Sequence, residues 1–254
     1  MDSMNKENIT DYSVIIPAFN EAALIAATIR SVQAAMRHSP LSGEIIVVDN
    51  DSTDDTAKIA VGLGARVVHE PFRQIARARN SGARAAQGRY LIFVDADTII
   101  AAPLLNEALL LLASGRVAGG GTRVEFDRPQ RFLASALLRY WQMISRAARL
   151  AAGCFVFCTA EGFRQVGGFD EKVYASEEIG FSIRLRAWAH RHRQIFKIIN
   201  RPWLKTSARK NQNVMGLILT ILVIALFPAA VRFRSLCFLW YACRHSDTLP
   251  ERKL

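Results

Sequence analysis

The stretch Arg77–Thr98, RARNSGARAAQGRYLIFVDADT, decides the fold. It reads as a basic helix closed by Gly88, then an apolar strand Tyr90–Val94, then Asp95-Ala96-Asp97. A strand of large apolar residues that stops on two carboxylates delivers them to the carboxyl edge of a sheet, where open α/β sheets bind ligands. Two acids one residue apart repel each other, and a cation between them is the simplest reason to keep the pair. Arginines upstream suit anionic oxygens on the far side of that cation. The pattern points to a metal-diphosphate site.

Outward from this stretch, strand and helix alternate. Ser13–Pro17 and Glu44–Val48 read as short buried strands, the first stopped by Pro17. A helix is expected from Asn20 to Met36, and Ser52 or Thr53 is expected to cap a second one. A strand over Ala65–His69, a helix over Gln74–Gln87 and the strand Tyr90–Val94 follow. This alternation predicts an α/β fold, doubly wound around a mainly parallel sheet. Past Pro103 come a helix to Ala113 and a strand Val117–Phe126, and the alternation breaks near Thr122. An amphipathic helix Gln130–Leu150, a strand Gly153–Thr159, a turn Gly167–Asp170 and a helix capped by Ser176 and running to His190 complete this part.

The 254 residues suffice for a full core. The net charge is +11, and its placement is one-sided: Ile179–Ser246 holds no Asp or Glu but twelve Arg and Lys. Such a block suits an anionic partner or membrane surface, or is simply a solvated basic face. Four cysteines show no zinc spacing and read as reduced and structural. The polar N-terminus, MDSMNKENITD, resembles neither a signal nor a transit peptide. From Asn211 to Val231 there is no charge, long enough for a spanning helix, with basic flanks. A membrane-embedded or interfacial helix is expected there, a dimer interface or core helix being the alternatives.

Three clusters each follow an apolar strand: Pro17-Ala18-Phe19-Asn20-Glu21, Asp49-Asn50-Asp51-Ser52-Thr53-Asp54 and Asp95-Ala96-Asp97. Singly each is weak; in this order they are specific. Together with VIIPAFNEAALIAATIRSV, ARARNSGARAAQGRYLIFVDADT, GGFDE and SEEIGFSIRLR, they make the chain resemble glycosyltransferase family 2, nucleotide-sugar-dependent enzymes of GT-A fold. The resemblance covers Val14 to about Arg186. It implies that Pro17, Ala18, Asn20 and Glu21 line the ribose and base, with Asp49 at the base. It further implies that Arg79 and Asn80 line the nucleotide, and that Asp95 and Asp97 hold Mg²⁺ or Mn²⁺, Asp97 more directly. Glu178 of the Glu177-Glu178 pair matches the acid that takes the acceptor proton in inverting transfer. The alternative for that pair is a favourable charge at a helix N-terminus. Asp49-Asn50-Asp51 departs from the family's Asp-Asp-Gly, and the Gln-x-x-Arg-Trp of processive synthases is absent, which favours a single-transfer enzyme.

The expected organisation is an N-terminal tail 1–11, a nucleotide-sugar half 12–122, an acceptor half 123–210, a membrane-associated segment 211–245 and a tail 246–254. The expected partners are a nucleoside-diphosphate sugar and a glycan or lipid-linked acceptor at the cytoplasmic face of a membrane, with no nucleic acid. A degenerate scaffold, or a sugar-nucleotide nucleotidyltransferase, is the competing reading. The latter lacks its Gly-rich loop after the first strand.

Overall fold

The computed structural model describes residues 10–126 and 154–206, together with Arg232. Among the described residues, eight strands form one sheet of order β3-β2-β1-β4-β7-β6-β8-β5. They are β1 (Tyr12–Ala18), β2 (Gly43–Asp49), β3 (Arg66–His69), β4 (Tyr90–Val94), the two-residue β5 (Thr98–Ile99), β6 (Val117–Phe126), β7 (Phe155–Thr159) and β8 (Ile195–Thr206). Strands β3, β2, β1 and β4 are parallel, as the alternation predicts. β7 runs antiparallel between β4 and β6, and β6 and β8 are again parallel to each other. The ends of β4 and β6 and the start of β7 therefore share one edge. The boundary expected at 122 falls inside β6, so a single sheet runs through both halves.

Six helices cover the sheet among the described residues: α1 (Ile25–Met36), α2 (Thr56–Gly62), α3 (Ile75–Ala85), α4 (Ala102–Ala113), α5 (Ala160–Gln165) and α6 (Glu177–Arg191). Strand side chains alternate between two cores, as the pleat requires. Val14, Ile16, Val47, Ile92, Val94, Phe155 and Phe157 face α1 and α4. Ile15, Ile46, Val48, Leu91, Phe93 and Val156 face the other side, with Phe163 of α5 and Phe181 and Leu185 of α6. Helix α3 lies on that second face so closely that a Cβ on Gly82 would collide with Ile15 and Val48.

Several local expectations are corrected. Pro17 does not stop β1, which continues to Ala18 paired with Asp49. Proline is tolerated there because the β1–β4 ladder ends at Ile15 and Phe93, so at Pro17 the strand pairs with β2 alone and one side is free of ladder bonds, as on an edge strand. Helix α1 starts at Ile25 rather than Asn20, because Asn20 adopts φ +51° and turns the chain. Ser52 and Thr53 do not cap α2, which starts at Thr56. They brace the first loop instead: Ser52 Oγ accepts from the Asn20 amide at 3.0 Å, and Asn20 Oδ1 accepts from the Thr53 amide at 2.8 Å. Helix α5 and strands β5 and β8 were not foreseen. In β8 basic residues and Pro202 interrupt the apolar pattern. The helix expected at 130–150 and the apolar segment 211–231 lie outside the described residues. No helix among the described residues is long and apolar enough to cross a membrane. Cys154 and Cys158 are free thiols, and burial pushes the Cys158 thiol pKa up.

Gly88 sets up a direct test of this packing. A Cβ there would strike the Tyr12 backbone, which cannot rotate away, whereas a Cβ on Gly62 meets nothing. Gly88→Ala is expected to cost about 2–3 kcal/mol of stability. Gly62→Ala, at the end of α2, should be neutral or slightly stabilising. Urea midpoints at unchanged m-value distinguish the two.

Candidate active site

Register aligns Ala18 with Asp49 and Asp49 with His69, so the ends of β1, β2 and β3 form one row at the carboxyl edge. Asp95 and Asp97 stand at the end of β4 beside it. Three non-glycine residues at this edge take left-handed backbone: Asn20 at φ +51°, Asp51 at +66° and Ser176 at +61°. Strain of this kind gathers where a surrounding network enforces it. Asp51 occupies the position where the family's Asp-Asp-Gly places glycine, and its φ shows why glycine suits that position.

The ends of β1 and β2 are held by side chains that bond backbone. Glu21 is 2 % exposed; its amide donates to Thr56 Oγ1 at 2.8 Å, and its carbonyl accepts from Leu24 and Ile25. Asp49 is 8 % exposed, accepts from the Ser52 amide at 3.3 Å and lies 3.6 Å from His69 Nδ1. Asn50 is not a degenerate remnant. Its amide donates to the Glu70 and Phe72 carbonyls at 2.9 and 2.7 Å, and its Oδ1 accepts from Gln74 N at 2.9 Å. An aspartate could not donate those two bonds. Gln74 Nε2 then donates to the Glu171 and Val173 carbonyls, both at 2.8 Å, which ties this edge to the loop before α6.

The structure places Arg79 and Asn80 below the site rather than along its surface. Arg79 is 1 % exposed; its Nη2 donates to Asp95 Oδ1 at 2.9 Å, and its Nη1 is ion-paired with Glu177 Oε1. Burial alone would lower the Arg79 pKa, but Glu177, Asp95 and Glu178 overcome it and raise the pKa. Asn80 accepts from the Phe169 amide and donates to the Phe169 carbonyl, each at 2.9 Å, so it pins the turn after Gly168. Gly167 and Gly168 both adopt positive φ there, which bears out the expected turn.

The Glu177-Glu178 pair divides its work. Glu177 is 4 % exposed and committed to Arg79. Glu178 is only half-buried and forms no ion pair among the described residues. Burial, and then the Glu177 carboxylate, push its pKa up, with Arg79 acting the other way. Ser176 does not cap α6: its φ is left-handed and its side chain makes no capping bond. The start of α6 is instead tethered through Glu177 to α3. Glu177 and Asn50 were missed by sequence reasoning; the signals available were the doubled acid and the departure at position 50.

Asp97 is 8 % exposed and accepts from Thr98 Oγ1 at 3.4 Å. No group of three or more His, Cys, Asp or Glu able to hold a metal exists among the described residues. Asp95 and Asp97 offer carboxylate oxygens, the donors a hard cation prefers, and two protein ligands leave positions for phosphate oxygens. The Asp95 side chain is 16 % exposed, with one oxygen held by Arg79.

These features agree with what the chain is similar to. The sequence model described as Glycosyl transferase family 2 matches residues 13–166, more than half of the chain. An uncharacterised glycosyltransferase of Rickettsia conorii is 32 % identical over 111 residues, which are 44 % of this chain and 37 % of that protein. One from Mycobacterium bovis is 36 % identical over 85 residues, 34 % of this chain and 36 % of that protein. The matched stretches thus span about a third of these relatives' length. Among solved structures, a mannosyltransferase of Pyrobaculum calidifontis in complex with GDP-Man and Mn²⁺ superposes with TM-score 0.63 at 20 % identity, covering 88 % of this chain and 63 % of that one. Glucosyl-3-phosphoglycerate synthase of Mycobacterium tuberculosis, with Mn²⁺, UDP and glucosyl-3-phosphoglycerate, gives 0.62 at 20 % identity, covering 85 % and 79 %. The fold is a mixed α/β fold of GT-A type. The chain belongs to glycosyl transferase family 2.

Removing the buried cation should be costly. Arg79→Met strands Glu177 in the core and is expected to lose about 3–5 kcal/mol, while the double variant with Glu177→Met recovers much of it. Urea unfolding of the two single variants and the double one measures this coupling. Glu178 carries a linkage of its own. Its folded pKa lies above the unfolded value, so its contribution is fully present below the ordinary carboxylate range and is lost as pH rises through the folded pKa. Glu178→Gln should therefore stabilise the fold at neutral pH and flatten that decline, as read from melting temperature against pH.

Proposed function

We propose that the protein is a metal-dependent glycosyltransferase. It moves a sugar from a nucleoside-diphosphate sugar to an acceptor hydroxyl in a single inverting transfer. The observation that carries this reading is that Asp49 and the Asp95/Asp97 pair stand at the ends of β2 and β4, the strands that flank β1, at one sheet edge, while Arg79 ties Asp95 to Glu177, the neighbour of Glu178. Pro17, Ala18, Asn20, Glu21 and Asp49 face the nucleoside, Asp49 taking a base N–H. Asp97, with Asp95, would hold Mg²⁺ or Mn²⁺ against the diphosphate. When bound, the ion neutralises charge that develops on the departing nucleoside diphosphate.

Arg79 fixes the orientation of Asp95 while Glu177 fixes the first turn of α6. That turn carries Glu178, the base for the acceptor proton. A raised pKa suits a carboxyl group that must accept a proton near neutral pH. The relatives named above are glycosyltransferases, and the two solved neighbours were obtained with Mn²⁺ and a nucleotide or nucleotide-sugar, which supports the donor class and the ion. A membrane- or envelope-linked acceptor at the cytoplasmic face of a membrane is supported by the acid-free basic block Ile179–Ser246.

Turnover of the donor should require a divalent ion and vanish in Asp97→Ala; turnover that persists in EDTA would remove the metal. Glu178→Gln should bind nucleotide like the parent yet transfer at least about a hundredfold more slowly. A thermal-shift panel of UDP-, GDP- and dTDP-sugars with and without Mn²⁺ identifies the donor independently of the acceptor.

A further inference from the structure

At the other end of β4 from Asp95 lies a cavity of about 640 Å³. Five residues of strand at roughly 3.3 Å each put it about 16 Å from the acid pair. The last turn of α3, the turn at Gly88, the start of β4 and helix α5 line it. Its lining joins the buried Leu91 and Phe163 and the half-buried Ala83 to the exposed Arg84, Arg89 and Arg164, with one acid, Glu161. We propose that this cavity is a binding site for a phosphate group, distinct from the nucleotide-sugar site.

This lining is built before any ligand arrives. Gly88 N donates to Ser13 Oγ at 3.0 Å, Gln87 N to Glu44 Oε1 at 2.8 Å, and Ala160 N to the Arg89 carbonyl at 2.9 Å. The backbone that carries Arg89 is thus fixed on both sides. Arg84 is steadied by donating to Ser81 Oγ at 2.6 Å, and the Arg89 guanidinium lies over the Tyr90 ring at 5.1 Å.

The existing partners leave the arginines available. Arg84 is 3.9 Å from Glu171 and Arg89 is 2.9 Å from Asp11, with the two arginine side chains 64 % and 63 % exposed. Exposed pairs of this kind contribute little and exchange readily. Arg164 is exposed and makes no ion pair or side-chain hydrogen bond with any described residue. Arg84, Arg89 and Arg164 all line this one opening, and guanidinium groups suit the planar, bidentate recognition of phosphate oxygens. The apolar part of the lining suits a ligand whose phosphate is joined to carbon. Either a lipid headgroup or a soluble phosphate ester supplies that chemistry.

The test uses the full chain, with inorganic phosphate as probe at constant ionic strength against chloride. Phosphate at about tenfold its dissociation constant should raise the melting temperature by about 4 °C. The rise should persist in Asp97→Ala, shrink in Arg164→Lys and disappear in Arg164→Glu or Arg89→Glu, whose melting temperatures in chloride should match the parent. No rise in the parent, or a rise that Arg164→Glu leaves intact, overturns the proposal. Loss in Asp97→Ala with retention in Arg164→Glu also overturns it, because phosphate then occupies the donor site. A second arm compares flotation with phosphatidylcholine vesicles with and without phosphatidic acid. If Arg164→Glu loses the phosphate shift and also the acid-dependent flotation, the source is a lipid headgroup. If it loses the shift alone, the source is a soluble phosphate ester.

Discussion

One buried cation organises the site. Arg79 reaches from α3, on the second face of the sheet, to Asp95 at the end of β4 and to Glu177 at the start of α6. An arginine that is 1 % exposed survives only if its charge is met, and here two carboxylates from distant parts of the sequence meet it. The pairing spans 98 residues along the chain. It fixes the separation between the acid pair and the helix that carries Glu178. A lysine could not make both contacts from one rigid fork.

Helix α3 extends the same constraint along its length. Gln74, Arg77, Asn80 and Arg84 fall three or four residues apart, so they share one face. Gln74 binds the Glu171 and Val173 carbonyls, Arg77 lies 3.4 Å from the Glu171 carboxylate, and Asn80 binds Phe169 and Glu171. The opposite end of this network is Asn50, beside Asp49. The edge that bears Asp49 and the loop leading into α6 are therefore held against one helix. A shift at either would have to break hydrogen bonds at the other.

The parallel half of the fold was legible because its signals are local. β4 and β6 lie where their apolar runs place them, and the boundaries of the other expected strands, β1, β2, β3 and β7, move by one or two residues. Clusters at strand ends converge because parallel topology leaves no other place for them. What was misread depends on long-range partners. Ser52 and Thr53 look like helix caps until Asn20, some thirty residues away, is seen to bond both, its amide donating to Ser52 Oγ and its Oδ1 accepting from the Thr53 amide. Arg79 is read from its position as lining the nucleotide, and position alone does not reveal its tie to Glu177 across the site. Ser176 looks like a cap because φ is not written in a serine. β8 escaped because its partner β6, not its own composition, makes it a strand.

The antiparallel insertion of β7 has a consequence for how such a sequence can vary. β6 ends at Phe126 and β8 at Thr206, both at the edge that bears Asp95, and the chain re-enters the sheet there at β7, which begins at Phe155. A change of length after Phe126 or after Thr206 enters past a strand end and leaves the register of the sheet untouched. The points where such a chain can vary in length thus lie next to the acid pair, not within the strands that position it.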